Sequence, residues 1–275
     1  MSRAYRPSRA AQNATDGYTP AVIPVSAALI TLDEERNIGP SLESVAFCDE
    51  IVVVDAGSSD RTLEIARAAG ARIVQTDSWP GFVAQKNRAL DEARHDWVLS
   101  VDADERVSAK LRMEVEHLRA HGFDSAGYRV PRVAYYLGRW LRGTDWYPDY
   151  QLRLMDRRRG RWDGAYVHES PTIDGRVRKL RGELEHLPYA DIAEHLETID
   201  RYTTLWAKQA HEAGERSGPI HMTAVTLFAF LRNYVLRGGL RFGTPGLVVS
   251  GLNTFYTFTK MAKLVELQRE MSRKA

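Results

Sequence analysis

The stretch Trp97-Val98-Leu99-Ser100-Val101-Asp102-Ala103-Asp104 passes from an apolar run straight into two carboxylates one residue apart. A short apolar run bounded by polar residues reads as a buried strand. Two earlier segments end the same way: Val25 to Ile30 runs into Thr31, with Glu34 just beyond, and Ile51 to Val54 runs into Asp55. Ligands of open α/β sheets sit outside the carboxyl ends of the strands, so three polar strand ends face one crevice. Neighbouring carboxylates there can hold a divalent cation on a diphosphate. The pattern predicts an enzyme handling a nucleotide-diphosphate compound.

The segments between these runs read as helices and short strands. Residues 38–47 have a helical pattern, and Asp60 can cap a helix that runs to about Ala69 and stops at Gly70. Arg72 to Gln75 reads as a strand, Phe82 to Arg94 as a helix, and Ser108 can cap a helix running to about Ala120. Such alternation predicts a doubly wound α/β sheet, mostly parallel, with helices on both faces. Further on, Gly127 to Val133 and Tyr150 to Met155 read as strands around an aromatic-rich segment. After His186 the chain turns helical. Ile192, Leu196, Ile199, Trp206 and Ala210 follow helical spacing, with further helices expected near Met222 to Leu236 and Leu252 to Arg269. Residues 1–20 read as a flexible tail.

Composition bounds the class. A chain of 275 residues with 27% charged and 44% hydrophobic residues is globular and large enough for a substantial core. The single cysteine, Cys48, excludes an internal disulfide and fits a reducing cytoplasm. Between Arg216 and Val265 there is no acid, while Arg232, Arg237, Arg241, Lys260 and Lys263 fall inside that span. A basic, acid-free region suits an anionic surface. Residues 242–259 are uncharged but carry three glycines and several polar residues, which argues against a membrane span. With neither a G-x-x-x-x-G-K-[ST] loop nor a strand followed by G-x-G-x-x-G, a P-loop NTPase or dinucleotide dehydrogenase is disfavoured.

Several side chains are candidates for chemistry. Lys86 sits inside the apolar stripe of Phe82, Ala89, Leu90 and Ala93, where a cation needs an anionic partner or must reach solvent. Glu169, in Val167-His168-Glu169, is a candidate general base, with Asp149 and Asp145 as rivals. His168 and His186 are either further metal ligands or structural histidines. The run Arg157-Arg158-Arg159-Gly160-Arg161 is either a solvated turn or a grip for phosphate; no nucleic-acid reader motif accompanies it.

Taken together, residues 31–38 (TLDEERNI), 52–62 (VVVDAGSSDRT) and Asp102-Ala103-Asp104-Glu105 resemble the inverting family-two glycosyltransferases of GT-A fold over about residues 24–170. Trp79-Pro80-Gly81-Phe82, Gln85-Lys86-Asn87, Trp146-Tyr147-Pro148-Asp149, Arg153-Leu154, Val167-His168-Glu169 and Tyr234-Val235-Leu236-Arg237-Gly238-Gly239 are similar to the lipopolysaccharide-core branch that includes β-1,4-glucosyltransferases. The resemblance implies a GT-A domain over residues 21–190 and a helical, membrane-associated or acceptor-covering region over 191–275. It implies that Thr31, Glu34 and Asp55 line a uridine pocket, with Lys86 near the base or phosphates. Asp102 would touch ribose or metal, Asp104 would ligate Mg²⁺ or Mn²⁺, and Glu169 would be the base. The implied reaction moves a hexose, glucose first, from a UDP-sugar to a glycolipid or saccharide acceptor at the cytoplasmic face of the inner membrane. Alternatives are a protein or polyprenyl-phosphate acceptor, and a non-catalytic nucleotide-sugar-binding scaffold.

Overall fold

A computed structural model describes residues 22–164 and 170–274. The expected tail over residues 1–20, and both His168 and Glu169, lie outside the described residues.

The first half alternates as the apolar runs require: β1 (Val25–Thr31), α1 (Ile38–Ser44), β2 (Glu50–Asp55), α2 (Thr62–Ala68), β3 (Arg72–Gln75), α3 (Phe82–Glu92) and β4 (Trp97–Ser100). Strand order is β3-β2-β1-β4, all parallel. Every residue of β1 is buried, as expected of a parallel strand covered on both faces. Strand periodicity splits its side chains. Leu29, Val53 and Leu99 pack under Ile38, Leu42 and Ala66, whereas Ala28, Val52 and Val98 pack under Ala89 and Leu90. Local signals fix the helix ends. The Asp60 carboxylate accepts from the Thr62 amide at 2.9 Å, and Gly70, after α2, adopts φ +76°, which favours glycine.

The second half comprises β5 (Glu105–Val107), α4 (Ala109–His121), β6 (Gly127–Tyr136), β7 (Arg139–Leu141), β8 (Asp149–Asp156), β9 (Gly160–Asp163), β10 (Ser170–Ile173), β11 (Val177–Lys179) and β12 (Leu184–His186). β8 enters antiparallel between β4 and β6, and β12 joins β6 to β5. The sheet is therefore mixed, parallel at its centre and largely antiparallel beyond β4. Glu105 opens the short strand β5. Ser108 does cap α4, its hydroxyl accepting from the Leu111 amide at 3.3 Å.

The chain ends in α5 (Ile192–Glu212), α6 (Pro219–Phe230), a π-helical turn over Leu231–Leu236, and α7 (Thr244–Lys274). α5 and α7 pack through Ala207, Ala210 and Leu264. The Lys263 ammonium joins them by donating to Asp200 at 2.7 Å and to Thr204 at 2.6 Å. α7 meets the sheet where Val249 packs with Tyr136 and Leu141. A Cβ on Gly246 would lie 1.9 Å from the Gly239 carbonyl oxygen, so only glycine admits that crossing. Among the described residues no helix is long and apolar enough to cross a membrane.

Candidate active site

Two loops at the carboxyl edge of the sheet are stitched together by their own acids and hydroxyls. The Asp33 backbone, at φ 55°, donates to Ser58, and the Asp33 carboxylate accepts from the Ser59 amide at 2.7 Å. The Glu34 amide donates to Thr62 at 2.7 Å, and the Glu35 amide to Asp60 at 3.0 Å. Asp55 is fully buried. It accepts from the Gly57 and Ser58 amides at 2.9 and 3.0 Å and from the Thr31 hydroxyl at 3.1 Å. Asp55 is thus the anchor of its loop, and Thr31, not Asp55, stands on the cavity wall.

That cavity, about 910 Å³, lies between the sheet edge and the C-terminal helices. Thr31, Glu34, Lys86, Asp102, Asp104 and His186 line one part of it. Burial raises the Glu34 carboxyl above its ordinary value. The Asn37 amide opposes this, while the nearby carboxylates of Asp104, Asp60 and Glu194 add to it.

Lys86 has the anionic partner its apolar helix face called for. Its ammonium lies 3.0 Å from Asp102 and 4.4 Å from the centre of the Trp162 ring. Its neighbours hold this arrangement: Asn87 donates to the Trp162 carbonyl and accepts from the Trp162 amide, both at 2.9 Å, which fastens α3 to β9. The second partner of Asp102 is Arg153 of β8, at 2.6 Å, and Arg153 also reaches Glu105 at 2.6 Å. Glu105 and Arg153 are almost completely buried. Glu105 accepts from the Asp102 amide at 3.0 Å, and Arg132 bridges it at 3.3 Å to Asp149 at 2.7 Å. Burial opposes ionisation of Asp102, yet the charges of Arg153 and Lys86 outweigh it and hold the carboxyl well below the usual range. The same carboxylates raise Arg153 against its own burial.

Asp104 is placed differently. Its carboxylate lies 3.1 Å from Nε2 of His186, a contact set by β5–β12 pairing, which puts His186 opposite Glu105. Both side chains keep some exposure to the cavity. Among the described residues no three His, Cys, Asp or Glu side chains form a metal cluster by themselves. The Asp104 carboxylate would hold Mg²⁺ or Mn²⁺ through oxygen, and the His186 imidazole would add a nitrogen ligand better suited to Mn²⁺, with the metal supplying positive charge to a diphosphate. Asp102, whose two oxygens pair with Lys86 and Arg153, lines the same cavity beside Asp104.

The rival base candidates are engaged elsewhere. Asp149 accepts from Arg132 and from Gln151 at 2.6 Å, in a side pocket of about 200 Å³. Asp145 is held by Arg232 and by Asn233 at 2.7 Å, which ties the π-helical turn to the sheet. The arginine run at 157–161 lines a separate cleft beside Asp91 and Asp96, near the start of β4 and remote from Asp102. Sequence reasoning singled out Arg153-Leu154 without giving Arg153 a role, and it missed Arg132 and His195. His195 lies at an inward-facing helical position, four residues before Ile199, and that spacing was its one signal.

Residues 26–180 match the model described as "Glycosyl transferase family 2". The chain belongs to glycosyltransferase family 2. A lipopolysaccharide core biosynthesis glycosyltransferase, LpsC, from Rhizobium meliloti (strain 1021) is 33% identical over 250 residues, covering 89% of this chain and 93% of that one. An uncharacterized glycosyltransferase from Rickettsia typhi is 28% identical, covering 88% of this chain and 87% of the relative. Among solved structures, a glucosyl-3-phosphoglycerate synthase from Mycobacterium tuberculosis in complex with Mn²⁺, UDP and phosphoglyceric acid is 25% identical. It covers 42% of this chain and 44% of that one, with a TM-score of 0.33. The family-two assignment makes this chain a glycosyltransferase of GT-A type, and the helical C-terminal region lies beyond the matched residues.

The raised Glu34 carboxyl has a consequence for stability. A carboxyl harder to ionise in the folded chain than in the unfolded one destabilises the fold once pH rises through its folded value, and has no effect below the unfolded value. Glu34→Gln is therefore expected to melt higher than the wild type at neutral pH, with the difference vanishing as pH falls to about 4. Thermal melts across this range check it, and an advantage that persists at low pH would contradict the electrostatic origin.

Proposed function

We propose that this family-two enzyme transfers a hexose, glucose first, from a UDP-sugar to a hydroxyl of a lipopolysaccharide-core or related glycolipid acceptor, with inversion. The observation that carries the donor reading is the Lys86–Asp102 pair, backed by the buried Arg153, set beside the Asp104–His186 pair on one cavity wall. Thr31, Glu34 and Lys86 would line the nucleotide end, with Asp102 orienting ribose through an oxygen it shares with Lys86. Asp55 would act on the nucleotide only through Thr31. Asp104 and His186 would hold Mg²⁺ or Mn²⁺, which when bound supplies positive charge against the leaving diphosphate.

A single in-line displacement needs a base on the acceptor side of the sugar. Glu169 keeps that role through its place in the Val167-His168-Glu169 motif; the Arg132 and Gln151 bonds make Asp149 the poorer candidate. The acceptor class rests on the similarity to LpsC, which covers nearly the whole of both chains.

The outer face of the C-terminal region favours a lipid surface over a protein acceptor. Leu227, Phe228, Leu231, Leu236 and Leu240 are exposed, and Arg232, Arg237 and Arg241 are interspersed with them. Such a mixed apolar and basic face suits the headgroup region of an anionic membrane. The enzyme would then sit peripherally on the cytoplasmic face, taking its acceptor from the bilayer.

Asp104→Ala should lower metal-dependent UDP release from the UDP-sugar by about 100-fold or more; unchanged turnover would remove Asp104 from the metal site. Glu169→Gln should retain UDP binding and lose turnover, and the same behaviour in Asp149→Asn alone would move the base there. For the surface, sedimentation with phosphatidylglycerol vesicles should exceed that with phosphatidylcholine vesicles. Leu236→Asp and Arg241→Glu should each weaken it, and equal sedimentation of all three proteins would sink the interfacial reading.

A further inference from the structure

Where α5 meets β6 and the segments after β7 and β12, the cavity carries a second constellation that the donor reading leaves unused. His195, on α5, lies stacked on Tyr189 with ring centroids 4.1 Å apart and planes 9° apart. Tyr136 meets it edge-on at 5.4 Å, and Trp146 lies 5.6 Å away. The Tyr136 hydroxyl is 2.9 Å from Nδ1, so one ring nitrogen is occupied and the ring cannot turn freely. Nε2 has no protein partner among the described residues, although His195, Tyr189 and Trp146 all line the cavity. Burial pushes the imidazole down to about 4, so it is neutral at physiological pH.

The neighbouring rings are also fixed. The Trp146 indole donates to Asn253 at 3.1 Å, and Asn253 in turn donates to Asn233 at 2.8 Å. Tyr189 follows His186 by three residues, so the chain passes from the Asp104 contact directly to this aromatic group. Rigid aromatic faces with one or two aimed polar atoms are how small-molecule sites bind an amphipathic ligand. A pyranose ring matches: its C–H face packs on an aromatic ring, and a hydroxyl can donate or accept, so it satisfies Nε2 in either tautomer. The uridine end of the cavity, at Thr31 and Lys86, is built from other elements, β1 and α3.

We propose that Trp146, Tyr189 and His195 form a subsite for a pyranose ring of the acceptor, with Nε2 of His195 hydrogen-bonded to one of its hydroxyls. This rests on the glycosyl-transfer reading above and adds the residue that positions the acceptor. Tyr136 acts through His195 by fixing the ring.

The test uses the full chain, with UDP and MnCl₂ as donor-side probes and methyl glucoside, methyl galactoside and methyl mannoside as acceptor-side probes, followed by calorimetry and saturation-transfer NMR. The wild type should bind at least one glycoside. His195→Phe keeps the aromatic face and should weaken that binding by about 10-fold, with UDP affinity unchanged. His195→Gln retains a polar atom and should recover part of the loss; it also carries the test if the Phe variant melts early. Unchanged glycoside affinity in both variants would overturn the subsite, as would a parallel fall in UDP affinity. A wild type that binds UDP but none of the three glycosides would overturn it too. A wild type that binds a glycoside through His195 but not UDP would sink the donor reading instead and leave the subsite standing.

Discussion

The buried guanidinium of Arg153, shared between Asp102 and Glu105, is the interaction on which the site depends. It joins the end of β4 and the start of β5 to β8, which is where the parallel half of the sheet meets the antiparallel half. Removing water from three charged groups is costly, and a buried pair offsets that cost only with good geometry and further hydrogen bonds. Asp102 and Glu105 have those bonds, from Lys86, the Asp102 amide and Arg132. Nε and Nη1 of Arg153 do not: both are buried without a partner in the described structure. A cluster that leaves polar atoms unpaired is better explained by the position it gives Asp102 than by stability.

From that anchor the cavity acquires two chemically different walls. On the sheet side, stitched loops and ion pairs present fixed charges. On the other side, α5, α7 and the segments after β7 and β12 present aromatic rings, a neutral histidine and the Asn253 amide, with Glu194 and Arg201 of α5 among them. The same C-terminal region that closes the cavity turns exposed leucines and arginines outward. Asp145, Asn233, Asn253 and Trp146 form one hydrogen-bonded chain between the two faces.

Much of this was legible in the residues. The parallel strands announced themselves as apolar runs, helix ends as Gly70 and Ser108, and Lys86 as a cation on an apolar stripe; Asp60 stands one residue before the N-cap, Arg61. Other parts carried no such signal. β5 and β12 are three residues each and mostly polar, so neither shows a period. Arg153 sits between Leu152 and Leu154, and nothing in that alternation announces that it is buried, with Trp162 of β9 packed over its guanidinium. Asp55 reads as a polar strand end; that its buried carboxylate also accepts from the Gly57 and Ser58 amides and the Thr31 hydroxyl is not announced by the apolar run before it. The contact between Asp104 and His186 joins residues far apart in sequence, and only strand pairing brings them together.

The most direct test of this account is pulsed electron paramagnetic resonance of Mn²⁺ bound with UDP to the ¹⁵N-histidine-labelled protein. The account predicts a ¹⁵N coupling to the metal that disappears in His186→Ala and a metal signal that is lost in Asp104→Ala. A Mn²⁺–UDP complex that shows no histidine coupling and is indifferent to both substitutions would contradict it.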